Sequence, residues 1–480
     1  MNARHDAFAE RVRYLDGLGP RLTGSGAHRA LVENVAEQLT GLGLTVHRDP
    51  HRFTRWNAPR DSTHLNLTVG DRPIRISSAY PYSGTTGPEG ITAPVHLVTG
   101  GLRKNWAAAA GAIAVTEVRH HPFPYNLWIH EWEGPAARPE LDNPVLSATL
   151  NGPNLAAARK AGVKAVIAVW KGLPDSAAAG QYLPFAHGYQ DLPAVWVPES
   201  EGHHLTDAAR SGTEAHLVLD ATLTPFSETA TVWAISEGDI TGETILVVTH
   251  SDGTNSVEEN GHIALLELAR EATSAPHRRT FVFVYTTGHL RIPAVSQHGQ
   301  ATSAWLDAHP DLWAGRPGQA RAVGGLVIEH LGARQYADHA ATGGYSPTGQ
   351  AEPELLYATT PEIAAIIRKD WNPSAPDKVH VSKPGPLIQF GEGEPLYERK
   401  IPSVALVTLP EYLLAELDGT LVDIGVLEQQ VDGFLRLLRT FDNVEHADQL
   451  GTVKLPSKAR KALTFLRALS ITARRARGGR

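Results

Sequence analysis

The chain has 480 residues, of which 42% are hydrophobic and 20% are charged, and its formal net charge is −7. The composition is typical of an ordinary soluble globular protein. The length is large for a single domain and sufficient for two. A negative charge, with no stretch that interleaves basic and stacking aromatic residues, argues against nucleic acid as a partner. No segment approaches the ~18 uninterrupted apolar residues of a membrane span. The first residues lack the apolar core of a signal peptide, so we expect a cytoplasmic protein.

The chain contains no cysteine. This excludes disulfides, thiol catalysis and cysteine-ligated metal sites. Any metal must therefore take histidine and carboxylate ligands.

Residues 4–43 are predicted to be helical. Leu31, Val35, Leu39 and Leu42 fall on one face of this segment, and glycines end the run. From about residue 93 to 219 the pattern of residue types changes. Within this segment, residues 154–169 predict a helix of small residues, a glycine turn and a buried strand.

An aromatic stretch, residues 120–132, contains four aromatic rings and three histidines. It is interpreted either as a lid or specificity wall over a binding site or as a loop whose rings simply pack within this part of the chain. The packing interpretation is slightly favoured.

The most informative block spans residues 244–290. Residues 244–248 predict a buried strand that ends in His250 and Asp252, and an acidic turn with Glu258 and Glu259 follows. Next come an amphipathic helix, with Ile263, Leu266, Leu268 and Ala269 on its buried side, and a second strand at 281–285 that runs into His289. Open α/β sheets bind ligands at the carboxyl ends of their strands, so this β-α-β unit predicts a site.

Further along the chain, residues 323–328 predict another buried strand, which ends in Glu329 and His330. Residues 361–371 are predicted to be helical, and Glu392 and Glu394 flank Gly393 in a later loop. Residues 451–480 hold nine Lys and Arg and no acidic residue. A basic amphipathic helix that contacts an anionic surface or a partner is one interpretation of this tail. A packed helix with a solvated end is the other, and it is favoured.

The 244–290 block resembles the two-metal aminopeptidase family that includes aminopeptidase S, glutamate carboxypeptidase and the glutaminyl cyclases. The strand ending in His250-Ser-Asp252 and the helix at 264–270 carry the likeness, and Pro395 and Pro402 keep the interval of the family's last motif. The resemblance implies a three-layer α/β/α mixed sheet with an inserted, mainly β protease-associated domain. It places the N-terminal part of the peptidase-like domain at 1–90, the insert at 91–222, the main part with the site at 223–445 and the basic tail at 446–480.

The resemblance also assigns site residues. It implies metal binding by His250, by Glu258 or Glu259 as the bridging carboxylate, and by Glu329, with Asp252 orienting a ligand histidine. The family's paired glutamates, however, fall on Thr287 and Gly288, and its last histidine falls on Gly393. We hypothesise that His289 replaces a lost ligand or proton acceptor and that Glu392 and Glu394 fill the gap left by the histidine.

Three functions follow. The first is a metal-dependent, peptidase-like hydrolase of a peptide or amide, with a rearranged ligand set, no glutamate base, and zinc or another first-row divalent metal as one or two ions. The second is a non-catalytic homologue that binds a peptide or small ligand, with or without a metal. The third is a structural or partner-binding protein. The first is favoured because polar residues replace the lost ligands.

Overall fold

The computed structural model describes residues 3–100, 104–134, 136, 138–185, 187–290, 292, 299–339, 344–374, 379–417 and 419–478. Two large β-sheets organise these residues, and each has its own buried core. The chain is therefore of the mixed α/β class, as the sequence predicts.

The larger sheet has nine strands. In spatial order they are Val46–Asn57, Thr222–Ser236, Arg279–Thr286, Ile240–His250, Arg321–Ile328, Ser403–Val407, Leu355–Ala358, Val381–Lys383 and His130–Glu131. The third to sixth of these strands run parallel to one another, and antiparallel strands flank them. The carboxyl ends of the four parallel strands consequently meet at one edge, where the predicted site residues follow them.

The predicted β-α-β unit is confirmed. The strand Ile240–His250 leads through the helix His262–Ser274 to the strand Arg279–Thr286, which pairs beside it in parallel. All four helix residues predicted to face the core are buried. The helical spacing of the apolar residues therefore predicted the buried face of this helix correctly.

Helices cover both faces of the larger sheet. Consecutive strand residues point to opposite faces, and a Cβ added to Gly324 would collide with Phe441 of the helix Ile424–Asn443, whereas one added to Gly325 would collide with Leu396. Leu396 belongs to the short helix Glu394–Glu398, so the two helices lie on opposite sides of the sheet. This arrangement is the predicted three-layer architecture.

The helices of the described residues are predominantly short. Their bounds are Ala3–Leu18, Gly26–Gly41, Tyr125–Trp128, Pro144–Asn151, Leu155–Lys160, Asp175–Ala178, Gly202–Ser211, His262–Ser274, Ala301–Ala308, Pro361–Asp370, Glu394–Glu398, Ile424–Asn443 and Lys458–Gly478. Short 3₁₀ turns occur at Trp106–Ala109, Glu199–Glu201, Pro310–Leu312 and Ala447–Leu450. The segment predicted as helical over 4–43 forms two helices, which a turn at residues 19–25 separates.

The smaller sheet has eight strands. In spatial order they are Arg72–Pro73, Leu65–Val69, Glu214–Leu219, Ile91–Leu97, Ile113–Arg119, Ala165–Lys171, Ala194–Val197 and Ser78–Ala79. Three of them precede residue 91, where the sequence places the start of the insert. Two two-stranded pairs complete the strands: Phe123–Pro124 with Glu140–Leu141, and Arg334–His339 with Gly344–Ala351.

The aromatic stretch at 120–132 packs its rings. Phe123, Tyr125 and Trp128 are buried in the hydrophobic cluster that surrounds the larger sheet, and the Trp132 indole donates to the carbonyl of Ala358 at 2.9 Å. The packing interpretation therefore describes these rings, although their core is that of the larger sheet. No helix in the described part of the chain is long and apolar enough to cross a membrane.

Candidate functional site

His250 is the last residue of its strand, and its side chain is fully buried. Its Nδ1–H donates a hydrogen bond to the carbonyl oxygen of Asp252 at 3.1 Å. Burial, followed by the charges of His289 and His330, lowers the pKa of His250 well below its usual value. The ring is therefore neutral, and Nε2 presents a lone pair.

Glu329 and His330 follow the neighbouring parallel strand. Glu329 Oε2 lies 3.6 Å from His250 Nε2 and 3.9 Å from His330 Nε2. All three atoms are buried and lack a hydrogen-bond partner among the described residues, and together they lie within 4.8 Å of one another. We call these three atoms the donor group. Two ligand atoms on a tetrahedral ion with bonds of ~2.1 Å lie ~3.4 Å apart, so a first-row divalent ion fits this group.

His330 is a site residue that the sequence patterns did not single out. Alternation along a strand would direct it away from Glu329, but His330 adopts φ +56°, a backbone conformation that ends the alternation. Its Nδ1–H donates to the carbonyl oxygen of Thr408 at 2.7 Å, and burial lowers its pKa to about 3. Like His250, it therefore presents a neutral Nε2. The only signal in the sequence was its position next to Glu329.

The two glutamates of the acidic turn have different surroundings. Glu258 accepts a hydrogen bond from the backbone N–H of Thr254 at 2.9 Å, and its Oε1 lies 3.6 Å from His289 Nε2 without a hydrogen-bond partner in the described structure. Burial raises the pKa of Glu258 to about 8. Glu259 instead forms a buried ion pair with Arg21. The turn thus places Glu258 toward His289 and ties Glu259 to Arg21.

Asp252 holds the turn after the neighbouring strand. Its carboxylate accepts the backbone N–H groups of Gly288 and His289 at 3.2 Å and of Leu290 at 2.8 Å, and the hydroxyl of Thr23 donates to it as well. Several N–H donors on one carboxylate fix the local backbone, so Asp252 sets the position of His289.

His289 forms a hydrogen-bonded pair with Glu392. His289 Nδ1 lies 2.8 Å from Glu392 Oε1, and its ring stacks on that of His250 with centroids 4.3 Å apart. Burial alone would lower the pKa of His289, but the hydrogen bond and the charges of Glu392 and Glu258 raise it to about 9. Glu392 also accepts the backbone N–H of Thr302 at 2.9 Å and donates its own N–H to Glu329 Oε1 at 2.7 Å. The pair is therefore linked to the donor group.

Glu394 and Thr287 form hydrogen bonds outside the donor group. Glu394 accepts hydrogen bonds from the backbone N–H of Gln389 at 3.2 Å and the side chain of Gln300 at 3.0 Å, and burial raises its pKa to about 7. Thr287 donates its hydroxyl to the carbonyl of Ala230 at 2.8 Å. Neither residue belongs to the donor group.

A small cavity of about 80 Å³ opens beside these groups. Its polar wall is formed by Glu258, His289, Glu329 and His330, and the rest is almost entirely apolar. Apolar lining residues come from the segment that follows the aromatic stretch, from a turn between two strands of the smaller sheet and from the last part of the larger sheet's domain: Leu141, Leu146, Phe185, Phe390, Leu409, Leu413 and Leu414. Parts of the chain that belong to the predicted insert therefore complete this cavity.

Comparison with known proteins gives a structural likeness. No protein-family model and no curated protein matches this sequence. A zinc aminopeptidase from Bacillus subtilis shares the fold with a TM-score of 0.61 and 17% identity, over 93% of this chain and 97% of its own. An aminopeptidase from Aneurinibacillus sp. strain AM-1 gives 0.57 and 16%, over 91% and 93%. A peptidase M28 precursor from Shewanella amazonensis SB2B gives 0.64 and 14%, over 95% and 98%. At these identities the likeness establishes the fold alone. Because the alignments cover more than nine-tenths of this chain, the likeness extends over both sheets.

Proposed function

We propose that this protein is a metal-dependent hydrolase of the peptidase type, which cleaves a peptide or amide bond. The observation that carries the proposal is the donor group, in which two neutral imidazole nitrogens and one carboxylate oxygen converge without hydrogen-bond partners among the described residues. Leaving three such atoms buried and unpaired is costly. A bound cation offsets that cost.

His250, Glu329 and His330 would hold the metal. Nitrogen and oxygen ligands suit zinc or another first-row divalent ion, and zinc is favoured because a structural neighbour is a zinc aminopeptidase. Once bound, the ion would polarise the substrate carbonyl and lower the pKa of a coordinated water. Glu258 lines the same cavity as the donor group. It is the better candidate of the two glutamates for the bridging carboxylate, because Glu259 is paired with Arg21.

Proton transfer falls to Glu258 and His289. The glutamate base of the resembled family is missing, since Thr287 and Gly288 occupy its place. Glu258, with a pKa of about 8, exchanges a proton near neutral pH through Oε1, and His289 Nε2 lies 3.6 Å from that oxygen. Asp252 acts as a positioning residue through the backbone of residues 288–290, and Glu392 keeps a proton on Nδ1 of His289.

We further propose that the smaller sheet is a protease-associated domain inserted into the peptidase-like domain, with the boundary moved from residue 91 to before the strand Leu65–Val69. Five lining residues of the cavity, among them Leu141, Leu146 and Phe185, come from this part of the chain. The domain would thus shape the mouth of the site rather than supply ligands to it.

One observation favours the alternative of a non-catalytic binding protein. Neither Thr287 nor Gly288 can serve as a base, and a positioned base is typically worth ~10²–10⁴ in rate. A peptide or small ligand would then bind in the apolar cavity without being cleaved.

The decisive experiment measures metal content by mass spectrometry on protein purified without chelator and after soaking in zinc. We expect one equivalent in the wild type and its loss in His250→Ala and His330→Ala. The control, His380→Ala, removes an exposed histidine and should leave metal content unchanged. Absence of metal in the soaked wild type would refute the proposal.

A second measurement separates the two functions. The zinc-loaded wild type and His289→Gln are compared on a panel of aminoacyl and peptidyl amides. Turnover that falls in His289→Gln while its metal content stays intact supports hydrolysis. A loaded wild type that binds the same amides in calorimetry but never cleaves them is the non-catalytic protein.

A further inference from the structure

The last helix, Lys458–Gly478, leaves its apolar side chains uncovered. Leu463, Leu466 and Phe465 are 71%, 62% and 54% exposed, the highest values for large hydrophobic residues in the described chain except that of Phe226. At 100° per residue Leu466 lies between Leu463 and Phe465, so the three share one face of the helix. A contiguous exposed apolar face of this kind marks an interaction surface.

A basic arc completes the circumference of the same helix. At 100° per residue Arg467 and Arg460 lie ~40° and ~60° from Leu463, and Lys461 ~160° from it, all outside the arc that holds the three apolar residues; neither arginine forms an ion pair within the described residues. Residues 451–480 hold nine Lys and Arg and no acidic residue, whereas the other 450 residues hold the remaining 35 together with all 51 Asp and Glu, a net charge of −16. Positive charge is therefore concentrated on this one helix and its approach.

A cationic cavity lies at the N-terminal end of the helix. It has a volume of about 410 Å³, and Lys383, Lys454 and Arg460 line it together with the rings of Trp132 and Tyr397. None of the three cations has an ion-pair partner among the described residues, and Lys383 Nζ lies 5.4 Å from the centroid of the Trp132 ring. Ammonium and guanidinium groups gathered in this way suit a phosphate.

We propose that the helix Lys458–Gly478 is a membrane-surface anchor. Its apolar face lies on an anionic phospholipid bilayer, and the cavity at its N-terminal end binds a headgroup phosphate. A helix with one apolar and one basic face lies in the interface of such a bilayer. Each cation near the surface adds to the attraction. The anchor would hold the hydrolase or binding protein described above at the membrane without a span.

Two other occupants fit the helix less well. A second copy of the helix would bring two sets of unpaired cations together. The acidic body of a second copy offers charge but little apolar surface, since its exposed large hydrophobic residues in the described structure are few and, Phe226 apart, at most 41% exposed. A bilayer supplies both the negative charge and the apolar interior.

The test uses the full-length protein and sedimentation with vesicles of phosphatidylglycerol or of phosphatidylcholine alone. We expect binding to the anionic vesicles at least ~10-fold tighter than to the neutral ones, and weaker binding as salt rises. The double variant Leu463→Gln/Leu466→Gln should lose at least ~10-fold in affinity, and Lys383→Gln about 3-fold. Both changes fall on solvent-accessible side chains, so thermal unfolding should be unaltered.

Matched controls and contrary outcomes complete the design. Phe226→Gln removes an equally exposed apolar ring, and Lys164→Gln an exposed cation of the smaller sheet; both should bind as the wild type does. Equal binding to both vesicle types, no binding, or an equal loss in the controls would overturn the proposal. So would a lipid-free dimer that the double variant dissociates, which would identify a second copy as the occupant, or retention on single-stranded RNA without vesicle binding.

Discussion

Replacing Arg21 by Met should destabilise the protein by about 3–5 kcal/mol at pH 7, the usual cost of leaving one charge of a buried pair without its partner. The side chains of Arg21 and Glu259 are 1% and 0% exposed. Arg21 also donates a hydrogen bond to the carbonyl of Leu15 at 2.7 Å, so the substitution strands a second buried acceptor. We therefore expect a value in the upper half of that range.

The size of the defect should depend on pH in a definite direction. Burial raises the pKa of Glu259, and Arg21 works against that rise. Without Arg21 the pKa in the folded state rises further, whereas in the unfolded chain it stays near ~4.3. The folded variant then keeps a proton that the unfolded chain has released, so its stability falls as the pH rises above that value. The defect should be small near pH 4.5 and largest toward pH 8.

The assay is urea unfolding of the wild type, Arg21→Met, Glu259→Gln and the double variant, each at pH 5 and pH 8. We expect the double variant to lose ~2 kcal/mol less than the sum of the single losses, because the pair acts as a unit. Arg11→Met is the control, since Arg11 forms a partly exposed pair with Glu267 and should cost ~1 kcal/mol or less. Additive losses, or a defect of Arg21→Met that is the same at both pH values, would refute the reasoning.

Three further predictions concern the site and its support. Gly391→Ala should weaken zinc binding, measured by competition with a chelating dye, because the added Cβ would lie 2.5 Å from Glu329 Oε1 and 2.9 Å from Oε2, the carboxylate oxygen of the donor group; Gly349→Ala, with a similar φ near +80° but open space, should not. Glu392→Gln should lower the pKa of His289 from about 9, since the hydrogen-bonded carboxylate that raises it is gone; an unchanged histidine titration by NMR would contradict this. Burial lowers the pKa of His28 to about 4, so stability should fall by up to ~3 kcal/mol as the pH drops from 6.5 to 4, and His28→Gln should flatten that part of the urea-midpoint profile.

Much of the fold was readable in the sequence because it depends on local periodicity. The strands ending at His250 and Glu329 and the helix His262–Ser274 follow from apolar runs and a helical stripe, and all three are confirmed. The first strands of the smaller sheet were harder to predict. Leu65–Val69 is a five-residue strand, and what assigns it to the smaller sheet is its pairing with Glu214–Leu219, about 150 residues away. Short-range patterns carry no information on such a partner.

The same distinction separates the parts of the candidate site. The strand-end positions of His250, Asp252 and Glu329 followed from pattern and resemblance, whereas His330 depends on a single backbone angle. The choice between Glu258 and Glu259 depends on Arg21, which lies more than 200 residues earlier in the chain. One carboxylate in this turn is neutralised from outside the site, and no spacing rule within the turn reveals which one.

The two departures from the resembled motifs compensate each other. In the family a carboxylate pair follows one strand and a histidine stands in the later loop; here His289 stands beside the first position and Glu392 beside the second. Their side chains meet at 2.8 Å, so the two departures bring one imidazole and one carboxylate into contact. Replacing either residue alone would leave a buried charge unpaired. The contact keeps a proton on Nδ1 of His289, held toward Glu392. On the other side of the His289 ring, Glu258 Oε1 lies 3.6 Å from Nε2. This oxygen has no hydrogen-bond partner in the described structure.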